Sequence, residues 1–160
     1  MRKATREELV NYFEDTDKHI LLVQEQMSGA ISELRNQAIN HDQSKFSSEE
    51  AEIYAVVVPE FAKYEYGTKE HSAVGDKLGP AWKHHLDNNP HHPEYHENGI
   101  EDMDLLYIIE MLCDWKAASM RNPNQDFRKS LKINLDKKEV SDQLQKVMIN
   151  TAKRLKMIDQ

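Results

Sequence analysis

The chain has 160 residues, 39% hydrophobic and 31% charged, which is enough apolar content to close one core and enough charge to cover it. No stretch approaches the roughly 20 consecutive apolar residues of a membrane helix, and the start Met1-Arg2-Lys3-Ala4-Thr5 lacks the apolar centre of a signal peptide, so a cytoplasmic protein is expected. A net charge of −7 disfavours an extended nucleic-acid partner, and the single Cys113 excludes an internal disulfide and a thiolate zinc cluster, leaving His, Asp and Glu for any metal.

Five glycines, five prolines and helix-forming residues recurring every three to four positions predict an all-α fold in a single domain over 1–160. From Thr5, the residues Leu9, Val10, Tyr12 and Phe13 describe a short helix ending at Asp15-Thr16-Asp17. A second helix carries Ile20, Val23, Met27, Ala30, Ile31, Leu34 and Ala38, with His19 on the same side, which is expected to be buried. The periodicity stops over Asn40 to Phe46. Ser47-Ser48-Glu49-Glu50 fits a capping box with Ser47 as N-cap, opening a helix through Ala51, Ile53, Tyr54 and Val57 and past Pro59 toward Tyr64.

Residues 66–79 read as a loop. Pro80 suits the first turn of a helix through Ala81, Trp82, His85 and Leu86, which stops near Asn88-Asn89-Pro90 because proline disfavours helical geometry before it. Residues 91–99 follow as an irregular stretch. A strongly apolar helix is expected from Ile100 or Glu101 through Leu105, Ile108, Met111, Leu112, Trp115 and Ala118, with Cys113 as inert packing and Asn122-Pro123-Asn124 as its end. Residues 125–137 receive no element, and Val140, Leu144, Val147, Met148, Ala152, Leu155 and Ile158 mark a final amphipathic helix over about 138–158. That helix suits packing on its own core or pairing between subunits of a homo-oligomer.

Histidine carries the chemical signal. Five of the eight, His84, His85, His91, His92 and His96, fall within thirteen residues beside Glu94. His41-Asp42 is a contiguous pair past the long helix, followed by Lys45. Asp114 lies in the most apolar helix, where an unpaired carboxylate is costly unless a cation or several donors meet it. Imidazole and carboxylate suit iron, manganese, zinc and related divalent ions.

The order His19, His41-Asp42, a histidine pair, Asp114 resembles the HD-domain superfamily of metal-dependent phosphohydrolases. His41-Asp42-Gln43-Ser44-Lys45 is similar to that superfamily's His-Asp-x-Gly-Lys form, with Ser44 in place of glycine. More closely, His41-Asp42-x-Ser44-Lys45-Phe46, Ala81-Trp82-x-x-His85, Asn89-x-His91-His92 and Glu110-Met111-x-Cys113-Asp114-Trp115 resemble an uncharacterised bacterial and phage family of HD-like proteins, over a motif core of 19–119.

The resemblance implies a compact HD-like helical bundle holding one or two divalent metals (Fe, Mn, Co, Ni, Zn or Mg). Its ligands would be His19, His41, Asp42 and Asp114, with Asp42 bridging. On helical spacing His85 shares a face with Ala81, Trp82 and Leu86, and His92 returns to that face seven residues later if the helix persists. His84 and His91 are then left to support the ligands or touch substrate, with Lys45 approaching its charged group and Glu110 either orienting a ligand histidine or pairing at the surface. Trp82 and Trp115 are expected in the core, and His71 and His96 in loops.

The implied reaction is hydrolysis of a small phosphorylated metabolite or nucleotide by a metal-activated water, with Asp42, Lys45, His84 and His91 at the reacting centre. The same residue set is similar to that of myo-inositol oxygenase and its relatives, which would make the chemistry oxidative. A binder of nucleotides that does not turn them over, and a purely structural metal, are the remaining alternatives.

Overall fold

The computed structural model describes residues 2–121 and 125–159. Among them are seven α-helices, three short 3-10 turns and no strand, so the fold is all-α. The chain divides into two units, 1–39 and 40–160.

The first unit is almost wholly one helix, α1 (Arg6–Asn40). A reciprocal capping box opens it: the Glu8 N–H donates to Thr5 Oγ1 at 3.2 Å and the Thr5 N–H to Glu8 Oε2 at 2.8 Å. The break expected at Asp15-Thr16-Asp17 does not occur. The Thr16 hydroxyl donates to the Tyr12 carbonyl at 2.7 Å, so a group suited to capping is absorbed into a continuous helix. A lone helix has nothing within its own unit to pack against, and the face with Ile20, Val23, Met27 and Ile31, expected to be buried, is exposed along with His19.

The second unit holds α2 (Ala51–Phe61), α3 (Lys69–Asp76), α4 (Gly79–Asn88), α5 (Leu105–Met120), α6 (Phe127–Lys137) and α7 (Asp142–Arg154). Helix α2 is not entered through a Ser47 cap. Its first residue is Ala51, and Glu50, the supposed partner of the box, is fully buried. The helix tolerates Pro59 in its last turns and ends at Phe61, short of Tyr64. The stretch read as a loop contains α3, whose N-cap Thr68 accepts the His71 N–H at 3.2 Å.

Helix α4 starts and stops where Pro80 and Asn89-Pro90 predict. Helix α5 begins at Leu105 rather than Ile100 or Glu101: residues Gly99–Asp102 form a 3-10 turn, and the Asp104 carboxylate caps the Leu106 and Tyr107 N–H groups at 2.8 and 2.9 Å. Asn122-Pro123-Asn124, expected to end α5, lie outside the described residues; the helix itself ends at Met120.

Helix α6 has no counterpart in the sequence reading. Asp126 caps it, and Phe127, Leu131 and Leu135, four residues apart, are all buried. The final helix is shorter than the expected 138–158, because Ser141 caps it at its start.

Two apolar clusters result. The larger joins α5, α6 and α7 through Ile108, Met111, Leu112, Leu131, Leu135 and Met148; the smaller joins α2, α3 and the start of α4 through Val57, Val74 and Leu78. Met148 is 1% exposed. Met148→Ala is therefore expected to destabilise the protein by about 2–5 kcal/mol, seen as a lower urea midpoint with an unchanged m-value.

Candidate metal centre

The second unit gathers its polar residues around Asp42. This residue follows α1 in the left-handed region (φ 57°, ψ 20°), a conformation Asp tolerates better than most residues. His85 comes from α4, while His91 and His92 come from the turn beyond it. There Asn89 and His92 are extended (φ −127° and −94°), and the adjacent His91 and His92 rings lie 4.2 Å apart. Buried Asn89 fixes that turn by donating its amide to the His85 carbonyl at 2.6 Å and to Ser44 Oγ at 2.7 Å. Ser44, which replaces the glycine of the resembling form, thus supplies an acceptor that glycine lacks.

Two buried atoms at the middle of this arrangement, Asp42 Oδ1 and His91 Nε2, have no hydrogen-bond partner among the described residues. They are 3.6 Å apart, and His85 Nε2 lies 3.4 Å from the same carboxylate oxygen and 3.0 Å from His92 Nε2. Ligand atoms about 2.1 Å from a common ion at angles between a right angle and the tetrahedral one are about 3.0–3.4 Å apart, so these residues fit a metal. Asp42, His85, His91 and His92 form one such group, and His41, Asp42 and Asp114 form a second. In the second, His41 Nε2 lies 3.3 Å from Asp42 Oδ2 and 3.7 Å from Asp114 Oδ1. Asp42 turns one oxygen to each group.

Two glutamates orient the imidazoles. Glu50 faces the Nδ1 atoms of His84 and His85 at 2.7 and 3.0 Å, and Glu110 faces those of His41 and His91 at 2.9 and 3.3 Å. A carboxylate accepting from Nδ1–H fixes the tautomer that leaves Nε2 as a lone-pair donor. Glu110, His41 and His91 are also close enough to form a ligand set of their own. Glu50 is the functional candidate that the sequence reading missed, because a glutamate beside a predicted cap reads as a surface residue.

The two groups differ in charge. Burial, together with His91 and His85, pulls the His92 pKa down to about 2, and burial also lowers that of His85, so both imidazoles are neutral and ready to donate a lone pair. His41 is pushed up to about 11 by Asp114, Asp42 and Glu110. Burial raises the Glu110 carboxyl, but hydrogen bonds from His41 and His91 outweigh it and hold the pKa near about 2. Burial likewise opposes ionisation of Asp42, and His41 and Lys45 overcome it, keeping the group well below the carboxylate range.

The other expected site residues are placed as follows. His19 lies on α1 in the first unit, so its ligand role rests on the sequence resemblance alone. Lys45 pairs with Asp42 Oδ2 and sits 5.5 Å above the Tyr54 ring. His84 is partly exposed and held by Glu50, whereas His91, expected at the substrate, stands among the converging ligand atoms. Trp82 is not core: it is 38% exposed and stacks on His85 with ring centroids 5.6 Å apart. Trp115 is partly buried against the larger cluster. Cys113 is exposed rather than packed. His71 belongs to α3, and His96 donates from Nε2 to the Pro90 carbonyl at 2.8 Å.

Among known proteins, the family described as "Family of unknown function (DUF5662)" matches residues 8–154. No curated protein and no solved structure matches the chain. The expectation of an uncharacterised family agrees with that match, while kinship to the wider HD-domain superfamily is carried by the residue pattern alone.

Glu50→Gln keeps the side-chain volume but loses one acceptor oxygen. It is expected to weaken metal binding about 10- to 100-fold in chelator competition, with the fold retained by circular dichroism. Loading the His41 group displaces the proton that the raised pKa keeps on His41. Affinity there should therefore rise with pH, by about tenfold per unit between about pH 6 and pH 9, with about one proton released per metal in calorimetry across buffers of different ionisation enthalpy.

Proposed function

The chain belongs to the DUF5662 family, and we propose that it is a metal-dependent hydrolase of small phosphomonoesters. The observation that supports this reading is the pair of buried, unpartnered atoms Asp42 Oδ1 and His91 Nε2, set among ligand-spaced histidines beside a lysine. The resemblance to the HD-domain phosphohydrolases points the same way.

Asp42, His85, His91 and His92 would hold one ion, and His41, Asp42 and Asp114 a second. A divalent metal there supplies a Lewis acid for a phosphoryl oxygen and lowers the pKa of water toward neutrality. The protein's own contributions are geometric and electrostatic. Glu50 and Glu110 hold the imidazole edges in place before substrate arrives, so little reorganisation remains for the reaction. Lys45, already beside Asp42, neutralises charge on the phosphoryl oxygens. The bond that forms joins the water oxygen to phosphorus, the ester P–O bond breaks, and the alcohol departs with a proton from the water.

The test is phosphate release from a panel of monoesters after removal of metals and reconstitution with Mn, Mg, Co, Ni or Fe(II), with oxygen consumption followed in parallel. Metal-dependent release is expected, with Asp42→Ala at least about 1,000-fold slower and depleted of metal by mass spectrometry. Wild-type metal content in Asp42→Ala overturns the site, and oxygen uptake without phosphate release overturns the reaction.

A further inference from the structure

The second unit contains a cavity of about 450 Å³ running from Lys45, Tyr54 and Trp82 at one end to Arg121, Ser130 and Asn134 at the other. Three residues of its near end each touch a candidate metal ligand, although no ligand itself lines the cavity among the described residues. Trp82 stacks on His85 and meets His92 edge-on at 5.5 Å, Tyr54 lies 5.8 Å from His85, and Lys45 pairs with Asp42. A molecule lying in the cavity would therefore have one end a single layer of side chains from the metal group.

Two features of the lining define what fits. Although the chain carries a net charge of −7, the described lining has Arg121 and the Asp42-paired Lys45, and no Asp or Glu. An anion is thus favoured against the charge of the protein as a whole. The walls are rich in rings, with Tyr54, Phe61, Tyr66, Trp82 and Trp115 spaced along them. Flat π-surfaces of this kind gain from offset or edge-on contact with another planar ring, which a saturated chain cannot supply. At the far end the Tyr66 hydroxyl donates to Asn134 Oδ1, so the Asn134 amide nitrogen remains as a donor for a polar group on the ring. The volume is within the range of small-molecule sites.

We propose that this cavity binds the organic part of the ester, and that the substrate class is a phosphomonoester of a planar, unsaturated ring system bearing polar substituents. This rests on the hydrolase reading for its phosphate end, and the cavity can be tested apart from turnover. Calorimetry on the manganese-reconstituted protein would compare 1-naphthylmethylphosphonate with propylphosphonate, neither of which can be hydrolysed. The aromatic ligand is expected to bind at least tenfold more tightly.

Ala118→Phe, which fills the cavity from α5, should reduce that preference to within about twofold at unchanged metal content. Val58→Phe fills it from α2 and serves if the first variant fails to fold. Equal affinities in the wild type, or a preference that survives in a folded variant, overturn the proposal. A preference for the aromatic ligand without phosphate release from 1-naphthyl phosphate would uphold the cavity and remove the hydrolase; release without preference would do the reverse.

Discussion

The second unit is organised around a carboxylate that would be unstable there alone. Asp42 sits in a left-handed backbone conformation with one oxygen buried and unpartnered, and its ionised form has lost much of its water. A strained backbone of this kind costs on the order of 1–3 kcal/mol and persists only where the surroundings over-determine it. Here they do: Lys45 and His41 hold one oxygen, and three imidazole edges stand around the other. Glu50, Glu110, Asn89 and Ser44 each fix a group that in turn faces Asp42.

That organisation separates two electrostatic environments only a few ångströms apart. On the Oδ1 side, burial dominates at His85 and His92, and both are neutral. On the Oδ2 side, three carboxylates outweigh burial and His41 is a cation. The same residue type is therefore held in opposite protonation states by opposite balances of desolvation and charge. His85 and His92 can accept a cation without releasing protons, whereas His41 must exchange one positive charge for another. The ring-lined cavity lies beside this junction, behind Trp82, Tyr54 and Lys45, and its described lining carries no carboxylate although the whole chain is acidic.

Much of this was legible from residue types. Pro80 and Asn89-Pro90 set both ends of α4, and the ordered histidines and aspartates marked His41, Asp42, His85, His92 and Asp114 before any geometry was known. What misled was the assumption of helical spacing. His92 reaches the centre through an extended backbone after α4 has ended, so the seven-residue return has no part in it, and His91 beside it points inward as well. Helices α3 and α6 are short, and their signals, a threonine cap and three apolar residues four apart, are weak in a polar sequence. Thr16 misled in the opposite direction, since a capping residue within a long helix can bond back to it. Glu50 was invisible because nothing local distinguishes a buried glutamate from a solvated one; only His84 and His85, more than thirty residues away, do so.

The extended stretch after α4 has a consequence for how the chain can change. Side chains of adjacent residues on a helix diverge by about 100°, so His91 and His92 can serve one centre only because the backbone there is not helical. Asn89 anchors one end of the stretch to α4, and Pro93 fixes the other in a 3-10 turn. Between those anchors the residue count is itself part of the site: an insertion or deletion would swing an imidazole away even with every histidine retained. The segment has a loop's shape without a loop's freedom in length.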